Sequence, residues 1–229
     1  VMSDNSYKKL LVLGSKKVGK TSLLSAVTSR EFDDEYYKTK RVVSFWDVKR
    51  RLEFIDVPGL DDKILELMDD DKSSNSTPLI DDDPQIKSFF KEEDGQDLAS
   101  ISGYIIMYSN EDTVTQRMAF ELLRVVTQVY ERKDKPIWIV ENEGSIHRVQ
   151  QIPKGLQYHK DFEDIAKKWG ANFMEVNVKT NKNVEKLMDN ISKALGSHVK
   201  LEDLFPQTSK SVGAGSKRVQ CEVPTCNVM

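Results

Sequence analysis

Cysteine is nearly absent from this chain of 229 residues: the only two, Cys221 and Cys226, fall within the last nine. A cysteine-free body excludes a disulfide-stapled scaffold and fits a reducing cytosol. Histidine is also scarce. His147, His159 and His198 are scattered and make no metal-ligand spacing. No apolar run approaches the length needed to cross a bilayer, and no signal peptide is expected at the start of the chain. There is no surplus of basic charge: the net charge is −3, which excludes nucleic-acid binding driven by overall electrostatics. Hydrophobic residues are 38% and charged residues 31%, so one ordinary α/β domain with solvated insertions or tails is expected.

Six strand-like runs are present: Lys8–Leu13, Arg41–Val48, Arg51–Val57, Ile101–Ser109, Pro136–Val140 and Asn172–Val178. Several are almost continuously apolar, as in LLVL, YIIMY and IWIV, the pattern of parallel strands covered on both faces. Only Val48, Lys49 and Arg50 separate the second and third runs, so a hairpin with one antiparallel edge strand is expected there. Amphipathic helical patterns alternate with the strands at Thr21–Ser29, Gln116–Arg132, Asp161–Trp169 and Val184–Leu195. The alternation implies an open, mostly parallel sheet in a three-layer α/β arrangement, with helices on both faces.

Two segments do not suit a packed domain. From Asp61 to Asp97 there are thirteen acidic and four basic residues, a net of −9, with a polar, low-complexity stretch at Ser73–Thr77. Such an insertion is expected to be solvated and mobile. From Ser197 onward, glycines and serines make the pattern of a flexible tail.

The stretch Gly14-Ser15-Lys16-Lys17-Val18-Gly19-Lys20-Thr21 fits G-x-x-x-x-G-K-[ST], directly after a strand-like run and directly before a helical one. In that context the backbone amides of Gly14 to Thr21 cradle phosphates. Lys20 reaches the β- and γ-phosphates, and the Thr21 hydroxyl binds Mg²⁺. Downstream, Asp56-Val57-Pro58-Gly59 closes the third run as D-x-x-G. Asp56 is placed to hold Mg²⁺ through water, and Gly59 to bring a backbone N–H to the γ-phosphate. Thr39, between the first helix and the second strand, could complete the Mg²⁺ shell.

GSKKVGKT, DEYYKT and DVPG, in that order and at these spacings, resemble the Ras-like small GTPases. The resemblance runs from about Tyr7 to Leu195, apart from the acidic insertion, and resumes at the last four residues. It implies a G domain over residues 1–196 with the insertion at about 61–97, a flexible tail over 197–229, and GTP/GDP and Mg²⁺ as cofactors. It also implies Thr39 as the first-switch threonine, and Asp56 and Gly59 as the start of the second switch. Effector and regulator proteins would dock at the two switches of a monomer.

The chain departs from the family at several positions. Where the family ends its fifth strand with N-K-x-D, this chain has Asn142-Glu143-Gly144-Ser145. Asn142 is retained, but Ser145 offers one neutral acceptor in place of a bidentate carboxylate. The spacing supports neither Glu141 nor Glu143 as a substitute. The family's S-A-K becomes Asn177-Val178-Lys179, with Val178 left to offer its N–H to the guanine oxygen. Leu60 stands where the family has a water-orienting glutamine, and it cannot hydrogen-bond. Lys16 and Lys17 occupy loop positions that are often small. Together these substitutions imply slow hydrolysis, and no catalytic side chain is assigned.

The terminal Cys226-Asn227-Val228-Met229 fits C-a-a-X, and the final Met favours farnesyl. One prenyl chain anchors weakly, so palmitoylation of Cys221 and a basic patch of Lys210, Lys217 and Arg218 are expected to add to it. The resemblance therefore implies a signalling GTPase lipid-anchored to the cytoplasmic face of the plasma membrane or an endomembrane. Two alternatives stay open: a pseudo-GTPase binding or scaffold module, and an ATP-using P-loop enzyme.

Overall fold

A computed structural model describes residues 6–28, 41–60, 100–129, 134–143 and 158–197. Thr39, Ser145, the acidic insertion at 61–97, and the tail with Cys221 and Cys226 lie outside the described residues. All described residues belong to one unit, Val1–His198.

The expected runs form six strands: β1 Lys8–Gly14, β2 Val43–Asp47, β3 Leu52–Asp56, β4 Ile101–Ser109, β5 Ile137–Asn142 and β6 Asn172–Val176. They make one sheet in the order β2-β3-β1-β4-β5-β6. Every neighbouring pair is parallel except β2 with β3, the antiparallel edge hairpin. The helices among the described residues are α1 Lys20–Thr28, α2 Thr113–Arg124, α3 Tyr158–Lys168 and α4 Val184–Leu195. This is the mostly parallel, three-layer α/β sheet that the alternation implied.

Strand side chains alternate between two cores. On one face Leu11, Leu13, Ile55, Tyr104 and Ile106 pack against Met118 and Leu122 of α2 and Phe162 and Ala166 of α3. On the other, Leu10, Val12, Phe54, Ile105 and Trp138 pack against Leu23 and Leu24 of α1 and Leu187, Met188 and Ile191 of α4. Burial on both faces is why the strands are nearly continuous apolar runs.

Three element boundaries differ from the sequence pattern for local reasons. Helix α2 starts at Thr113, three residues early, because the Asp112 carboxylate accepts hydrogen bonds from the Val114 and Thr115 amides and caps the first turn. Past Arg124 the chain winds on as a π-helical turn, Val125–Val129, in place of α-helix. Strand β5 runs two residues past Val140, carrying the polar Glu141 and Asn142 into the buried sheet.

The hairpin turn after β2 is pinned to α4. Arg50, buried, donates to Asp47 (Nη1 to Oδ2, 2.8 Å), to Asp189 (Nη2 to Oδ1, 3.0 Å) and to Glu185. Burial alone would lower the guanidinium pKa; the hydrogen bonds to Asp47, Asp189 and Glu185 outweigh it and raise the pKa.

Candidate functional site

Strand β1 is the point where the sheet winds outward in both directions, with β3 on one side and β4 on the other. In open α/β sheets, ligands bind at the carboxyl ends of the strands at such a point. The loop Gly14–Gly19 leaves β1 there and runs straight into α1, whose first-turn amides lack intrahelical acceptors.

Sterics fix the shape of the loop. Gly14 has φ 142°, and a Cβ on it would stand 2.3 Å from the Met107 carbonyl oxygen on β4, so no side chain fits. Lys17, exposed, takes a left-handed φ of 65° at a position where glycine would be relaxed. Ser15 is fully buried at the bend, and its Oγ makes no hydrogen bond among the described residues.

The loop brings Lys20, Thr21 and Asp56 together. Lys20, 6% exposed, points its Nζ back to the carbonyls of Gly14 (3.1 Å) and Ser15 (3.0 Å). Desolvation lowers its pKa to about 8, and the charge of Asp56 offsets part of that drop. Pairing of Val12 with Asp56 sets the carboxylate at the end of β3, where Thr21 Oγ1 donates to Asp56 Oδ2 at 2.6 Å. A hydroxyl and a carboxylate are hard oxygen donors of the kind Mg²⁺ takes. Among the described residues no group of three or more His, Cys, Asp or Glu could hold a metal.

Asn142 ties the loop to the far side of the site. Its Nδ2 donates to the Val18 carbonyl (3.1 Å), and its Oδ1 accepts from the Val178 amide (3.2 Å). The Val178 N–H, the expected donor to a guanine oxygen, is thus used within the protein. Lys179, exposed, follows it in the turn that leads to α4.

The two glutamates flanking Asn142 have partners of their own. Glu141 accepts a hydrogen bond from Tyr108 Oη on the adjacent β4, inside the sheet. Burial first, and that bond second, raise the Tyr108 pKa. Glu143 pairs with Lys182 Nζ at 2.8 Å. The only hint of this in the sequence was an acidic residue inside an otherwise apolar strand end.

Gly59 and Leu60 lie across the phosphate loop. The Leu60 N–H donates to the Gly14 carbonyl and the Lys16 N–H to the Leu60 carbonyl, both at 3.2 Å. The Lys16 amide, expected in the phosphate cradle, is therefore engaged by Leu60. The Leu60 side chain is buried in the core shared by β1, β3 and α2. In the sequence Leu60 shows only as a missing polar group, because its packing depends on contacts far apart in the chain.

Known proteins are similar to most of the chain. The Ras-like protein rasX of Dictyostelium discoideum is 23% identical over 192 residues, 81% of this chain and 75% of its own. The human GTP-binding protein Rheb is 23% identical over 189 residues, 79% of this chain and 83% of its own. The GTP-binding protein rhb1 of Schizosaccharomyces pombe is 22% identical over 203 residues, 82% and 87% respectively. The chain is similar to Ras-like and Rheb small GTPases over about four fifths of its length. No protein-family model matches it. The resemblance of the phosphate loop, Thr21, Asp56, Gly59 and Asn142 to that family rests on their order and spacing in the sequence. The chain's departures fall at Lys16, Lys17, Leu60 and Glu143.

Proposed function

We propose that this chain binds GTP and GDP with Mg²⁺ as a nucleotide switch, hydrolyses GTP slowly, and works in signal transduction or regulation at a membrane. The observation that carries the proposal is the Thr21–Asp56 oxygen pair at 2.6 Å beside the buried Lys20. Three chemically distinct groups for a phosphate–metal complex meet there, two from adjacent positions of the loop and the third, Asp56, from a separate strand. Two of the relatives are named as GTP-binding proteins, which supports guanine as the base.

In this proposal Thr21 and Asp56 hold Mg²⁺, Asp56 through water, and Lys20 meets the phosphates. Bound Mg²⁺ supplies charge neutralisation of the phosphate oxygens. The chain's own contribution is to position: the loop and the α1 terminus orient the phosphates, and Asn142 holds the loop against the Val178 turn. Effector and regulator proteins would dock at the switch segments. Where Cys226-Asn227-Val228-Met229 ends the protein, farnesylation of Cys226 would tether it to the cytoplasmic face of a membrane.

Burial of Leu60 favours a second reading, a binding module with little or no hydrolysis, because no polar side chain at that position can orient water. Extracting the co-purified nucleotide, and competing it with GTP, ATP and XTP, tests the first proposal; selective retention of ATP would overturn it. Turnover measured with and without cell extract separates the two readings, since a robust intrinsic rate excludes the second. Cys226→Ser is expected to release the full chain from membranes.

A further inference from the structure

The crossing of Gly59 and Leu60 over the phosphate loop bears on how many phosphates the site accepts. Strand β3 pairs with β1 in regular register as far as Val12 with Asp56. Beyond that the loop advances three residues to Ser15 while the other chain advances four to Leu60, where the two pair again. One residue is thus accommodated as slack, and Gly59 is pressed onto the loop. A Cβ on Gly59 would stand 2.7 Å from Lys16 Cα, 2.8 Å from Lys16 N and 3.0 Å from Lys20 Nζ.

A γ-phosphate must meet the Lys20 ammonium and the Gly59 amide together. Here Gly59 lies so close to the Lys16 backbone that not even a methyl group fits between them, and the space a methyl would take is already 3.0 Å from Lys20 Nζ, so Gly59 crowds the place where a γ-phosphate would meet the ammonium. The α- and β-phosphates make no such demand, because the loop and the α1 terminus hold them without Gly59. Moving Gly59 aside would break both backbone hydrogen bonds of Leu60 and draw its side chain, 1% exposed, out of contact with the Leu11, Leu13 and Met118 cluster. A polar residue at position 60 would still give up the two backbone hydrogen bonds but not the apolar burial that anchors Leu60.

We infer that this site is selective for nucleoside diphosphates over triphosphates, with Leu60 as the anchor that holds Gly59 across the γ-phosphate position. The inference rests on the nucleotide-binding reading above and adds to it which phosphate state is preferred. The expected preference is about thirtyfold, which corresponds to about 2 kcal/mol.

The test is equilibrium titration of the full chain, with Mg²⁺, against fluorescent GDP and a fluorescent non-hydrolysable GTP analogue. Wild type is expected to favour GDP about thirtyfold, and Leu60→Gln and Leu60→Ala to bring the two affinities within a few-fold of each other. Hydrogen exchange at the Leu60 amide of the wild type gives a readout that needs no variant: it is expected to be slow with GDP and fast with the triphosphate analogue. Equal wild-type affinities, or a Leu60 amide equally protected by both ligands, would overturn the diphosphate selectivity and leave the nucleotide proposal standing. Binding of neither ligand would overturn both.

Discussion

Replacing Arg50 by methionine should be among the costliest single changes outside the nucleotide site. The guanidinium serves three carboxylates, but they do not count equally. Glu185 and Asp189 have side chains 61% and 64% exposed, so water replaces most of what each loses, about 0.2–1 kcal/mol. Asp47 is only 6% exposed. Breaking a buried pair from one side costs about 3–5 kcal/mol, because the remaining charge stays desolvated. Asp47 keeps one partner, the Arg50 backbone amide at 3.1 Å, and methionine keeps the aliphatic stem packed. Both place the loss near the lower limit, at about 3 kcal/mol in total. For a chain of this size that lowers Tm by about 6–12 °C. Urea unfolding of wild type, Arg50→Met, Asp47→Asn and the double variant measures it. The double variant should lose about 2 kcal/mol less than the sum of the singles, because Asp47→Asn removes the stranded charge. A loss under about 1 kcal/mol for Arg50→Met, or additive losses in the cycle, would refute the view that Asp47 carries the cost.

Two further outcomes follow from the site. Ser15→Ala removes a fully buried hydroxyl that makes no hydrogen bond among the described residues, and should raise stability by about 1 kcal/mol in a urea titration. Lys20 has a pKa lowered to about 8, and bound phosphate oxygens will raise it again, so nucleotide affinity is full below pH 8 and is lost as pH climbs above it. Calorimetry should find binding about tenfold weaker at pH 9 than at pH 7, with proton uptake on binding; a flat profile would show that Lys20 does not meet the phosphates. The sign for folding without ligand is opposite: the unfolded chain binds the proton more tightly, so Lys20's contribution becomes less unfavourable between pH 8 and its ordinary value of 10.5.

The sheet was legible because burial on both faces writes itself as unbroken apolar runs, and LLVL, YIIMY and IWIV needed no partner to be recognised. The end of β5 was not, because Glu141 and Asn142 are polar and only the Tyr108 hydroxyl, the Val18 carbonyl and the Val178 amide explain their burial. The phosphate loop was legible from eight consecutive residues. The role of Leu60 was not, since a leucine looks the same in any buried setting and its neighbours come from β1, β3 and α2. Arg50 was read only as part of a hairpin connection; its partners Glu185 and Asp189 lie more than a hundred positions away. The π-helical turn after Arg124 has no periodic signature that separates it from a continuing α-helix.

The side-chain amide of Asn142 spans two loops that arise more than a hundred residues apart, with one atom on each. The loop after β1 and the turn after β6 are therefore stitched into a single mechanical piece. A displacement of either loop strains the same amide and is felt by the other, so the two ends of the pocket move together.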